Sequence, residues 1–216
     1  MIKFPILTIG QSKANPGPLI DMDLLRSMYE AGFNLVLKAA DAPSADAKRF
    51  WFGAGGLTNS GAIDTAAGKM RDYMNGGMTK MHYLCTATAG SMMSFNQYAF
   101  LKVPGGPPED KLGKATNVQV NAGFSSPRFG FGEKVGAILH EITHMCIGTN
   151  DVVYEGREMY GADYCVELAE ADTNLALTNA DNWCYYFTSY HDQIVQKGKD
   201  WSGLTPAEVA KRRAGR

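Results

Sequence analysis

Residues 140–144 read His-Glu-Ile-Thr-His and close an apolar run through Val135, Ala137, Ile138 and Leu139. Two histidines four apart fall on one face of a helix, about one turn from each other. A helix this hydrophobic buries what it carries, and buried imidazoles and carboxylates are costly unless they find partners. The chain must therefore fold so that a helix over about 133–145 packs on one side and meets a shared polar partner on the other. A divalent metal is such a partner. In H-E-x-x-H the two imidazoles converge on one ion, and the glutamate, here Glu141, reaches a water on the metal's open side. Histidine occurs only four times in the chain, and two of the four form this pair. That makes coincidence a poor account of it.

A catalytic zinc of this type needs a third protein ligand. A histidine six residues after His144 would complete one known arrangement, but position 150 is Asn150. A glutamate from a following helix would complete a second, and Glu167 and Glu170 stand in such a stretch. Asp151 is a third option. It follows Gly148, where a turn could bring a carboxylate back to the metal. His82 and His191 read as locally bonded residues, and Cys146 as a packing residue, since no free base accompanies it. The methionines read as core filler.

The rest of the chain predicts an α+β fold, mostly helical, with a small sheet ahead of the motif helix. Asp21 or Asp23 caps a first helix, in which Leu24, Leu25, Met28, Tyr29, Phe33, Leu35 and Leu37 recur at rough helical spacing. Residues 41–62, rich in Ala, Gly, Asp and Ser, read as a helix end and a loop. A short helix near residues 69–74 ends at Gly76-Gly77. Residues 98–103 and 118–120 read as strands, joined through the Pro- and Gly-rich loop 104–108. One further helical stretch spans about 160–177. Thr205-Pro206-Ala207-Glu208 reads as a capped helix start, with Thr as N-cap, Pro first and Glu third. Its 216 residues suit one domain, and 45% hydrophobic against 20% charged residues allows a sizeable core.

Formal net charge is −1, and the one basic cluster is the tail Lys211, Arg212, Arg213 and Arg216. Neither nucleic acid nor an anionic membrane is implied as a partner. No apolar run is long enough to span a bilayer, and the first residues carry no clear signal peptide. Cys85, Cys146, Cys165 and Cys184 form no C-x-x-C pair, which argues against a zinc ribbon. They leave room for one or two disulfides.

The run Gly148-Thr149-Asn150-Asp151-Val152-Val153-Tyr154 after His-Glu-Ile-Thr-His resembles the G-T-x-D-x-x-Y signature of the aspzincins, the deuterolysins and peptidyl-lysine metalloendopeptidases. The resemblance extends over about residues 22–190, through Lys48–Gly53, Tyr160-Gly161 and Asn179-Ala180-Asp181. Residues 191–216 are then a helical extension of the same domain. The resemblance implies a zincin-like metallopeptidase domain with Zn2+ held by His140, His144 and Asp151. It makes Glu141 the general base and places Tyr154 beside the substrate carbonyl to stabilise the oxyanion. Asp181 is implied as a substrate-pocket acid; from the residues alone it also reads as a helix residue bonding nearby backbone. This sequence departs from the family pattern in several places, among them a longer gap from Asp151 to Asp181. Tyr154 is followed by Glu155 before Gly156. The acid that some members carry three residues after the N-A-D aspartate is Cys184 here, which weakens the case for a lysine pocket. A position that often holds a disulfide cysteine is Asn121.

The leading expectation is a zinc endopeptidase acting on protein or peptide, exported or delivered outside the producing cell. A second is a zinc hydrolase of cell-wall peptide, acting as a secreted bacterial toxin with a cognate inhibitor or immunity protein. A third is a binding protein whose zinc supports only the fold.

Overall fold

The computed structural model describes residues 5–13, 15–77, 80–87, 93–95, 115–121, 124, 126–193, 200–201 and 205–215. Strand β1 (Ile6–Gln11) leads into helix α1 (Met22–Asp41), then α2 (Ala45–Phe52), the single turn α3 (Gly55–Thr58) and α4 (Ser60–Asp72). A π turn over Tyr73–Gly77 closes α4. Strands β2 (Lys80–Cys85), β3 (Met93–Phe95) and β4 (Ala115–Val120) follow. The motif helix α5 (Phe131–Cys146) comes next, then a small hairpin of β5 (Val153–Tyr154) and β6 (Arg157–Glu158). Helices α6 (Ala162–Ala171), α7 (Thr173–Thr178), α8 (Ala180–Thr188) and α9 (Pro206–Ala214) complete the order.

The larger sheet runs β1-β2-β4-β3; the first three strands are parallel and β3 is antiparallel to β4. This is the small sheet ahead of the motif helix that the sequence predicts. The expected strand over 118–120 lies in β4, whereas residues 98–103 and 104–108 lie outside the described residues. Strands β1 and β2 are not anticipated, because each is short and its ladder comes from segments far along the chain, β2 for β1 and both β1 and β4 for β2.

Asp21 caps α1, its carboxylate accepting from the Leu24 N–H at 2.7 Å. Thr205 and Glu208 form the expected capping box. The motif helix runs slightly beyond its predicted span, and the Glu133 carboxylate accepts from Gly130 N at 2.8 Å at its start. Its faces meet α1 and α8 closely. A Cβ on Gly136 would stand 2.9 Å from Cys184 Sγ, so only glycine allows that approach to α8.

Two expectations are corrected. Residues 41–62 are mostly helical rather than loop. Ser44 caps α2 by accepting from Ala47 N, and Lys48, 3% exposed, pairs with Asp64 and bonds Ser60, tying α2 to α4. The stretch 160–177 is two helices. They break at Asp172, whose carboxylate accepts from Asn174 N and Leu175 N and starts a new helix.

Candidate metal centre

The motif helix ends at Ile147, and Gly148, at φ +72°, turns the chain back. Ile147 N and Gly148 N both bond Thr143 O, which folds Thr149 under the second histidine. The Thr149 carbonyl accepts from His144 Nδ1 at 2.9 Å, and the Thr143 and Thr149 hydroxyls bond each other at 2.7 Å. Asn150 then forms a parallel bridge with Asn179: Asn150 N donates to Thr178 O and Ala180 N to Asn150 O. This one bridge seats two carboxylates, Asp151 just after Asn150 and Asp181 just after the 179–180 step.

Asp151 Oδ1 lies 3.0 Å from His140 Nε2 and 3.4 Å from His144 Nε2, and the two Nε2 atoms are 3.1 Å apart. The protonation pattern makes this triangle informative. His144 Nδ1 faces a carbonyl, which only accepts, so it carries the hydrogen and leaves Nε2 a lone pair. His140 Nδ1 faces Asp181 Oδ1 at 2.6 Å and is satisfied in the same way. Two nitrogen lone pairs and a carboxylate oxygen thus converge, which is unfavourable without a cation or a shared proton. Tetrahedral bonds of ~2.0–2.1 Å separate neighbouring ligand atoms by about 3.3 Å, so these spacings fit Zn2+. Both Nδ1 partners are the outer bonds that fix ligand imidazoles in metal sites.

Electrostatics point the same way. Burial lowers the affinity of His140 for a proton, but Asp151 and Asp181 outweigh it and raise its pKa. Burial raises that of Asp151, but its bonds to His140 and His144 hold it well below the usual carboxylate range. Glu141 is pushed up to about 7 by burial, against the pull of both histidines. Its side chain is 3% exposed and its Oε2 has no hydrogen-bond partner among the described residues.

Asp181 Oδ2 accepts from Gly161 N at 2.7 Å, so both of its oxygens are occupied. Cys184 is buried against Gly136. Glu167 pairs with Arg157 and Glu170 with Arg213; neither joins the cluster that could hold a metal. Tyr154 packs half-buried against the core from the hairpin. The tyrosine facing Asp151 is Tyr160, whose ring centroid lies 6.0 Å from that of His140. Sequence reasoning missed Tyr160 as a site residue. Its signal was the Tyr160-Gly161 pair directly before a helix, displaced from Asp151 by the two-residue turn Glu155-Gly156, both at positive φ, and its short strands. Thr149 and Thr143 were missed as orienting residues because only the return of the chain brings them to His144.

An H-E-x-x-H helix alongside a small mixed sheet, with a carboxylate from the following turn beside both histidines in a group that could hold a metal, is the arrangement of an α+β metallopeptidase domain. The lysine-specific metallo-endopeptidase family, the aspzincins, matches over residues 38–188, and the chain belongs to that family. An extracellular protease of Aeromonas hydrophila is 28% identical over 150 residues, 68% of this chain. The match spans 37% of that relative's length. Among solved structures, a zinc peptidase from Grifola frondosa superposes with a TM-score of 0.56 at 18% identity, covering 82% of this chain and 96% of that one. This last likeness concerns the fold.

Proposed function

We propose that the chain is a zinc-dependent endopeptidase in which His140, His144 and Asp151 hold the metal and Glu141 is the general base. The convergence of three ligand atoms at 3.0–3.4 Å, with Glu141 one residue along the same helix, carries this reading. Bound Zn2+ supplies Lewis acidity at the point where the three atoms meet. Glu141 takes a proton from the attacking water and returns it to the leaving amine. Burial raises its affinity for the proton, which favours taking it up from the water before it is passed to the amine. The signature points to Tyr154 as the group stabilising the oxyanion. The position of the Tyr160 hydroxyl by Asp151 supports Tyr160 for that role, with Tyr154 holding the hairpin that carries it.

Asp181, with both oxygens engaged, supports a role in orienting His140 rather than in receiving a lysine side chain. With Cys184 in the other acidic position, a strict requirement for lysine is not part of this proposal. Its protein or peptide substrates lie outside the producing cell by analogy with the Aeromonas relative, which is described as extracellular. Among the described residues no helix is long and apolar enough to cross a membrane.

The test incubates zinc-loaded wild type and Glu141→Gln with a denatured proteome and reads new peptide ends by mass spectrometry. New ends from wild type, reduced by about 10²–10⁴ in the variant at equal zinc content, are expected. Equal cleavage by both proteins would remove Glu141 from the mechanism.

A further inference from the structure

The hairpin β5–β6 has one face on the protein and one face on the metal side. Val152 and Met159 are buried, and Met159 N donates to Val152 O at 2.9 Å. Side chains alternate along an extended chain, so Asp151, Val153, Glu158 and Tyr160 share the opposite face. Two of these four show where that face looks. Asp151 Oδ1 stands 3.0 Å from His140 Nε2, and the Tyr160 ring centroid lies 6.0 Å from that of His140. Val153 and Glu158 are cross-strand partners one two-residue step farther on, about 7 Å along from Asp151. The site therefore continues outward along a wall of valine, glutamate and tyrosine.

That wall is open. Val153 is 61% exposed and Tyr160 38% exposed. Glu158 is exposed as well and joins no ion pair among the described residues. The other face of the same hairpin shows what such groups hold. There Arg157 lies over the Tyr164 ring, 5.5 Å from its centroid, and bonds the Glu167 carboxylate. A glutamate beside an exposed tyrosine suits a planar guanidinium, which stacks on the ring and forks to the carboxylate. Glu158 and Tyr160 offer the same two groups toward the metal side, with no cation of the chain's own among the described residues. The surroundings also favour a positive charge. Residues 150–181 carry eight acidic side chains and one basic one, Arg157, in a chain of net charge −1. The acid implied as a lysine pocket is already engaged: both oxygens of Asp181 are bonded, and Cys184 beyond it is buried.

We propose that the metal-facing side of the hairpin is a subsite for an arginine side chain of the substrate, with its stem on Val153 and its guanidinium between the Tyr160 ring and the Glu158 carboxylate. The proposal rests on the peptidase reading and adds to it a substrate preference, arginine over lysine, and a residue that sets it, Glu158. A lysine ammonium would meet the carboxylate but lacks the flat face that stacks on the ring.

Zinc-loaded wild type, Glu158→Gln and Glu158→Lys are each incubated with a denatured proteome, and the new peptide ends are aligned on the cut. Glu158 is exposed, so its variants keep the fold. Wild type should enrich arginine over lysine at one position, about one to three residues from the cut. Glu158→Gln should abolish that enrichment, and Glu158→Lys should replace it with an enrichment of acidic residues. On peptides that differ only at that position, kcat/KM for arginine should fall about tenfold in Glu158→Gln, while that for norleucine stays at its wild-type value. Cleavage with lysine preferred, or with an arginine preference unchanged in Glu158→Gln, would overturn the subsite and leave the peptidase reading intact. Fluorescence anisotropy reads the subsite without chemistry. Zinc-loaded Glu141→Gln should bind a short labelled peptide about tenfold more tightly when one position carries arginine rather than norleucine, and adding Glu158→Gln should remove the difference. That difference in a protein whose wild type cleaves nothing would support the subsite and reject the peptidase reading. Equal binding of both peptides at every position scanned would reject the subsite.

Discussion

Asp151 and Asp181 address the two nitrogens of one imidazole, Asp151 at Nε2 of His140 and Asp181 at Nδ1. Their replacements should therefore fail in different degrees. With Asp151 as the proposed third ligand, Asp151→Ala should weaken zinc binding by more than about a hundredfold, beyond the 10- to 100-fold typical of outer partners. Glu167→Ala and Glu170→Ala break pairs with Arg157 and Arg213 and should leave zinc stoichiometry unchanged. If either glutamate variant lost its metal in chelator competition, the ligand assignment would fail. Asp181→Ala leaves the ligands in place but frees the His140 ring, so zinc affinity should fall by about 10- to 100-fold in the same titration. The placing of His140 and His144 on one helix face with Glu141 beside them was legible at this scale, because helical spacing is written locally. The facing of Tyr160 toward Asp151 was not, because it depends on how the hairpin folds over the site.

At the scale of elements, a polar knot set within an aromatic core joins the helices behind the candidate metal centre. Asn182 is fully buried; its amide donates to Trp51 O at 2.6 Å and Cys165 O at 2.9 Å, and its oxygen accepts from Asn179. It links the end of α2 to α6 and to the start of α8. Asn182→Leu would strand the Trp51 carbonyl at the end of α2, while Cys165 O keeps its bond within α6, and should cost about 1–3 kcal/mol of stability in denaturant unfolding. A loss below about half a kilocalorie per mole would mean that the Trp51 carbonyl finds another partner. Residues 41–62 belong to this scale too. Gly and Ala lower the apparent periodicity, so a loop is the natural reading, yet small side chains are what let these helices pack closely. Gly56, whose Cβ would stand 2.4 Å from Lys48 O, is an example.

At the scale of the whole molecule, the four cysteines are free rather than bridged. Burial raises the Cys146 thiol to about 12 and lifts Cys165 and Cys184 well above the ordinary value. A thiol whose folded pKa exceeds its unfolded one stabilises the fold fully below the unfolded value. That contribution is lost as pH rises through the folded value. Unfolding midpoints should therefore hold up to about pH 9 and decline between about pH 9 and 12. At pH 8 a thiol reagent should react with Cys165 and Cys184 only after denaturant is added. Prompt labelling of both in the folded protein would contradict their burial.

The sequence by itself determined the motif helix with its two imidazoles and glutamate and the cap at Thr205, and it narrowed the first cap to Asp21 or Asp23 and the third carboxylate to Asp151, Glu167 or Glu170. Each follows from periodicity, spacing or a local hydrogen bond. Tertiary structure alone decided the partners that make those residues a site. The Asn150–Asn179 bridge seats Asp151 and Asp181 on opposite sides of His140, and the hairpin sets Tyr160 by Asp151. The physical reason is the range of the interactions. A helix closes its bonds four residues away, whereas a bridge or a parallel ladder joins segments whose separation along the chain leaves no local trace.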